Sequence, residues 1–204
     1  YTFLHHEIVY LWTKITELQA ALKSFTFPPV NYFSQFWQEE QLLLDVHENY
    51  QKRSFRNKYQ VLGPNGTTTL SIPLQKGKHQ KQNIRDVKIS YDQNWPRLHR
   101  ETLRASYGSA AFFEHYFDAV EKVLEMRPVF LFDFNMAALA CLCKMLKKEL
   151  IWKPTDDFVA EVQPLSVSLL KYPQVFENKF GFVSGLSTLD LIMNMGPSST
   201  RYFQ

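Results

Sequence analysis

Apolar positions along this chain come first in short runs and later in helical stripes. "LKSFTF" (22–27) reads as a strand ended by Pro28-Pro29, and a helix from about Val30 to Trp37 follows it, because proline is tolerated only in a helix's first turn. "QLLLDV" (41–46) is a second strand. Two strands joined by a short helix and apolar on both faces predict a parallel β-α-β start. "NKYQVLGPNGTTTLSIPLQ" predicts a hairpin with Gly63, Pro64, Asn65 and Gly66 as its turn, after which Leu70, Ile72 and Leu74 alternate. Pro73 cannot donate to a ladder, which puts this strand at an edge or turns its N–H position outward. "KGKHQKQ" (76–82) reads as a mobile basic loop and "IRDVKISYD" (84–92) as a returning strand.

Beyond residue 93 the periodicity is helical. "NWPRLHRETLRASYG" has Asn94 as N-cap, Pro96 in the first turn and Gly108 as the stop. At 100° per residue Trp95, Leu98 and Thr102 share one face, and Arg97, Arg100, Arg104 and Tyr107 form the opposite stripe. His99, close to the apolar face, reads as a satisfied buried histidine. Further helices are expected over about 110–126 and 135–149. "LSTLDLIMNMGP" carries Ser187 and Asp190 as a capping box, Leu186 and Leu191 as its staple, and Gly196-Pro197 as the stop. Ile8, Leu11, Trp12, Ile15 and Leu18 fall at helical spacing, so residues 1–20 predict an amphipathic helical extension. Residues 21–204 predict a single α/β domain: a small mixed sheet with a β-α-β start and a hairpin, then a mainly helical C-terminal half.

Composition agrees with a folded chain: of 204 residues 45% are hydrophobic, and 17 Phe, 10 Tyr and 4 Trp supply ample apolar area. No uninterrupted apolar run is long enough to span a membrane, which predicts a cytoplasmic protein without membrane insertion. Cys141 and Cys143 are two apart on a helix, cannot pair with each other, and read as small core residues. The net charge of +3 hides an uneven distribution. Residues 51–104 hold twelve Lys/Arg against three acids, so the basic middle points either to an anionic partner such as a phosphate, nucleotide or nucleic acid, or to a solvated face neutralised by acids from elsewhere in the fold. GxGxxG, Walker, GxSxG, HExxH and CxxC patterns are absent, so recognition of phosphate falls to Lys and Arg side chains. No metal ligands or cofactor are assigned.

The densest polar stretch is "HENYQKRSFRNKYQ" (47–60), directly after the second strand. In an α/β sheet, ligands sit at the carboxyl ends of the strands, where Pro28–Tyr32 and His47–Arg56 both fall. Lys52, Arg53 and Arg56 are candidates to hold an anionic group, with Asn49 and Asn57 orienting it and Pro28, Tyr32 and Tyr50 lining the site. Arg100 and Arg104 join as a clamp if their helix turns toward this loop. His47 and Glu48 are the adjacent titratable pair that could move protons.

"FPPVNYF", "ENYQKRSFRNKYQVLGPNGTTTLSIPL", "NWPRLHRETLRASYGSAAFFEHYF" and "LSTLDLIMNMGP", in that order, resemble the bacterial WbqC-like family from about Leu22 onward. Leu22 stands where many relatives carry a histidine, and Val46 and His47 stand where relatives often place an acidic pair. The resemblance implies a setting in surface-polysaccharide (O-antigen) gene clusters and a glycyl-type or other acyl transferase role. Two other classes stay open. One is a non-catalytic RNA- or polyanion-binding module stacking bases on Tyr50, Phe55 and Tyr59, disfavoured by the low net charge. The other is a structural partner in a biosynthetic complex.

Overall fold

The computed structural model describes residues 21–75, 82–160 and 170–203; the expected N-terminal helix and most of the 76–82 loop lie outside them. Strand β1 (Leu42–Leu44) pairs in parallel with β4 (Trp152–Pro154), with Leu42 opposite Trp152 and Leu44 opposite Pro154. On the other side of β1, Leu22 makes a single parallel bridge: its N–H donates to the Leu43 carbonyl at 2.7 Å, and the Asp45 N–H donates back to the Leu22 carbonyl at 3.0 Å. The parallel start is therefore real, but its first strand is far shorter than residues 22–27. Phe27 adopts φ +41°, and Thr26 bonds instead to the Phe55 carbonyl through its N–H and to Asn135 Oδ1 through its hydroxyl. Asn135 in turn donates to the carbonyls of Ser24 and Arg56. These bonds draw residues 23–27 out of the ladder and into a buried polar seam. Helix α1 (Val30–Ser34) follows, shorter than expected, with the Ser34 and Gln35 side chains both bonding the Asn31 carbonyl.

The hairpin forms as its turn chemistry demands. Strands β2 (Lys58–Gly63) and β3 (Gly66–Ser71) pair antiparallel around Pro64-Asn65, and Gly66 takes φ +103°, a conformation glycine adopts without strain. Pro73 lies beyond β3, its carbonyl accepting from Ser90. Residues 84–92 do not form the continuous strand expected. Asn83 caps a 3-10 turn, Ile84–Asp86, and only Lys88 and Ile89 make isolated bridges, to Phe130 and Leu74.

Three longer helices follow: α2 (Trp95–Tyr107), α3 (Phe113–Glu125) and α4 (Leu131–Met145). The buried face of α2 is Trp95, His99, Leu103, Ser106 and Tyr107, whereas Leu98 is 58% exposed. The stripe is thus rotated from the one apolarity alone predicts, and Tyr107 belongs to the core rather than to the arginine side. His99 can face inward because it is well bonded. The Tyr59 hydroxyl donates to His99 Nδ1 at 3.0 Å, and His99 Nε2–H reaches the Ser71 carbonyl at 3.2 Å. Burial holds this imidazole down at about 4, so it is neutral as expected of a satisfied core histidine. Cys141 and Cys143 are free and buried in α4, and burial pushes both thiols up to about 11. Short helix α5 (Glu177–Phe180) leads to α6 (Thr188–Met195) and a closing 3-10 segment, Gly196–Tyr202. One buried apolar cluster runs from Leu22 to Phe203.

Ser187 caps α6 as expected, accepting from the Leu189 N–H. Asp190 does not complete a capping box. Its carboxylate accepts from the Tyr172 hydroxyl at 2.8 Å and the Gln174 amide at 2.9 Å, with the Tyr107 phenol close by. Burial pushes Asp190 up to about 6 from an ordinary 3.8, against the pull of those hydrogen bonds. A folded-state value above the unfolded one favours folding fully at low pH, and that contribution is lost as pH rises through about 6. Asp190→Asn should therefore flatten the pH dependence of stability between about 4 and 7. The gap between wild type and variant should change by up to ~3 kcal/mol across that window, measured by urea denaturation at each pH. Parallel curves would reject a buried, titrating Asp190.

Candidate functional site

Where the parallel strands end, four charged side chains leave the apolar core. Lys23 follows the Leu22 bridge and Asp45 follows β1; both are almost wholly buried, at 1% and 0% exposure, and their side chains pair at 2.5 Å. Asp45 Oδ2 also accepts from the Val159 N–H at 3.1 Å, and Oδ1 accepts from the His47 N–H at 2.8 Å, while Lys23 Nζ donates to the Val159 carbonyl. Burial pushes the Asp45 carboxyl upward, and the bonds from Lys23, Val159 and His47 outweigh it, holding it below the ordinary range. Beside this pair, Arg56 donates from Nε to Glu48 Oε2 at 3.0 Å and again from Nη2, with both residues 1% exposed. Among the described residues Glu48 Oε1 has no hydrogen-bond partner. Burial pushes Glu48 above the usual carboxylate range, with the Arg56 guanidinium opposing. The guanidinium lies 5.4 Å from the Phe25 ring centroid, and Phe25 packs on Tyr32 at 4.3 Å.

His47 faces the other way, into solvent. Its Nε2 lies 2.9 Å from the Thr155 carbonyl oxygen, just past the end of β4. A carbonyl can only accept, so Nε2 carries a proton, and in the neutral ring Nδ1 is the nitrogen with the lone pair. His47 lines a cleft of about 570 Å³ with Val46, Asn83, Arg85, Asp86, Phe130, Phe132 and Asp133, a volume within the range of small-molecule sites. The first turn of α4 forms one wall, so the positive end of that helix joins Arg85 there, opposed by the Asp86 and Asp133 carboxylates.

The chain matches the WbqC-like protein family over residues 24–163, a stretch that holds both ion pairs except Lys23, His47 and the whole cleft lining. It belongs to that family. No curated protein and no solved structure matches the chain. In this WbqC-like protein the match stops short of α6, so the "LSTLDLIMNMGP" stretch lies beyond it.

The structure brings the expected site residues together only in part. His47 and Glu48 are not one catalytic pair: at the bend after β1 His47 is exposed beside the cleft, whereas Glu48 is buried and paired with Arg56. Arg56 is engaged by Glu48 rather than offered to a ligand. Tyr50 and Asn57 are buried and bond each other at 2.9 Å, and Asn57 also holds the Ile72 backbone, so they fix the loop to the hairpin. Lys52 and Arg53 sit exposed at the loop's tip, Arg53 at φ +59°, and Asn49 is exposed where its backbone bridges Asn83. Pro28 and Tyr32 line a void of only about 10 Å³ with Lys23, Ser24 and Asn135, room for about one water. Arg100 pairs with Glu121 at 3.4 Å and Glu125 at 3.2 Å, and Arg104 with Glu121 at 3.3 Å, so this stripe is a solvated seam against α3 rather than a clamp. With Tyr50 and Tyr59 buried, two of the three rings that a base-stacking surface would use are closed to it.

Sequence reasoning passed over Lys23, Asp45, Asn135 and Arg85. Asn135 had a visible signal, a lone amide in the apolar run "LFDFNMAALACLC". The Glu48–Arg56 pair gives a direct test. Arg56→Met strands a buried carboxylate and should cost ~3–5 kcal/mol, whereas the Glu48→Leu/Arg56→Met double variant should cost clearly less than the single one. Urea denaturation reads both, and a single variant within ~1 kcal/mol of wild type would show that the pair is solvated.

Proposed function

We propose that this WbqC-like protein is a transferase that moves a small acyl or aminoacyl group from an anionic, nucleotide- or phosphate-bearing donor to an acceptor used in surface-glycan assembly, with the cleft beside His47 as its active site. The observation that carries this reading is the fixed imidazole. Its Nε2 is held by the Thr155 carbonyl, and the ring lines a ligand-sized cleft at the carboxyl ends of the parallel strands.

In the step this arrangement supports, Nδ1 takes the proton from an acceptor hydroxyl or amine as its oxygen or nitrogen bonds to the acyl carbon. The bond from that carbon to the donor's leaving group then breaks, and the imidazolium returns the proton to the departing atom. Positioned proton transfer of this kind contributes about 10²–10⁴ in rate. Arg85 and the start of α4 supply positive potential for the donor's anionic group, and Phe130 and Phe132 give it an apolar wall. Lys52 and Arg53, exposed on the following loop, add steering charge.

A thermal-shift panel of nucleotides, nucleotide-sugars and acyl donors tests the reading. A ligand present at 100 times its Kd stabilises the fold by ~2.7 kcal/mol, several degrees for a chain of this size. Arg85→Ala should abolish most of that shift. His47→Ala should keep the shift and lower the turnover of any transfer found by about 10²–10⁴. If no compound on the panel shifts the wild type, or if Arg85→Ala responds as fully as wild type, the cleft is not the donor site.

A further inference from the structure

The Lys23–Asp45 pair lies behind His47 and is not itself part of the cleft lining, yet its bonds converge on the two segments that set the imidazole. Asp45 Oδ1 fixes the His47 backbone N–H, and Oδ2 fixes the Val159 N–H, four residues past Thr155. Lys23 Nζ closes the ring by donating to the Val159 carbonyl. Thr155 itself is tied to β1 by its N–H to the Leu44 carbonyl at 2.9 Å, so the carbonyl that accepts from Nε2 is held at the same edge. The ring's own backbone is thus held by the carboxylate directly, while the segment carrying its hydrogen-bond acceptor is held by Leu44 at Thr155 and by the same carboxylate at Val159.

We propose that Lys23 and Asp45 form a positioning pair for His47. Their role, which rests on the active-site reading above, is to fix the direction of the imidazole's free nitrogen. The chemistry favours this over a plain structural tie. A buried ion pair is commonly replaceable by apolar residues of similar volume with little loss of stability, so stability alone gives weak reason for these two charges. What apolar residues could not supply is the directed set of four bonds that sets the 45–47 and 155–159 segments against each other. A displacement of about 1 Å in a reacting group is enough to cost roughly 10²-fold in rate.

The test is the mobility of the His47 ring, read by carbon relaxation of its C–H groups. In wild type the ring should be as rigid as ordered backbone, with an order parameter of about 0.85. In Lys23→Met/Asp45→Leu, which leaves no unpaired buried charge, it should fall below about 0.6 while the denaturation midpoint changes little. Lys23→Gln/Asp45→Asn, which keeps hydrogen-bonding groups at both positions, should retain more of the rigidity. Asp45→Asn alone, replacing one acceptor oxygen by a donor, serves if the apolar pair does not fold; its ring should also loosen. An unchanged ring in the folded variants, or a ring already mobile in wild type, overturns the positioning role. Ligand-induced shifts of the His47 signals in wild type report separately on the active-site reading. Their absence from the whole donor panel would remove that reading while leaving the mechanical link between Asp45 and His47 measurable.

Discussion

Taking an ammonium and a carboxylate out of water is costly, and the cost is met only where nearly every proton and lone pair finds a partner. Lys23 and Asp45 satisfy that condition at the point where the Leu22 bridge, β1 and β4 all end. The carboxylate's two oxygens take bonds from the ammonium and from two backbone amides belonging to different segments. Once that geometry is required, the rest of the carboxyl edge follows from it. The chain after β1 turns with His47 outward, and the chain after β4 is held alongside it through Val159.

Burial at the bend after β1 then divides the labour. Val46 and Glu48 face protein, while His47 and Asn49 face water. One side carries a closed set of charges whose bonds are largely internal, and the other carries an imidazole with one nitrogen committed and one open. The WbqC-like match covers this edge from residue 24, so the division belongs to the matched part of the chain.

Local chemistry was the part of the fold most legible in the amino-acid order. The Pro64-Asn65 hairpin and the Ser187 cap are each set by residues within a few positions of one another. Features that depend on distant partners were not legible. "LKSFTF" has strand composition, but its hydroxyl and carbonyl groups are claimed by Asn135, more than a hundred residues away. The buried face of α2 lies off the Trp95–Leu98–Thr102 stripe because Tyr59 and Ser71, which meet the buried His99, belong to the distant hairpin. The basic stretch after β1 was correctly located at the strand ends. Which of its heads turn inward could not be read there, since Arg56 and Lys52 differ only in what the fold brings against them.

The solvent-side seam between α2 and α3 obeys a different physics from the strand ends. Arg100 and Arg104 meet Glu121 and Glu125 at 3.2–3.4 Å, in positions a third to more than half exposed on the arginine side. Mobile ions reach such charges and damp their attraction over about 8 Å at physiological ionic strength, whereas they scarcely enter the sealed carboxylate sites. Added salt should therefore act unevenly across the molecule, loosening the grip between these two helices while the edge that carries His47 keeps its shape.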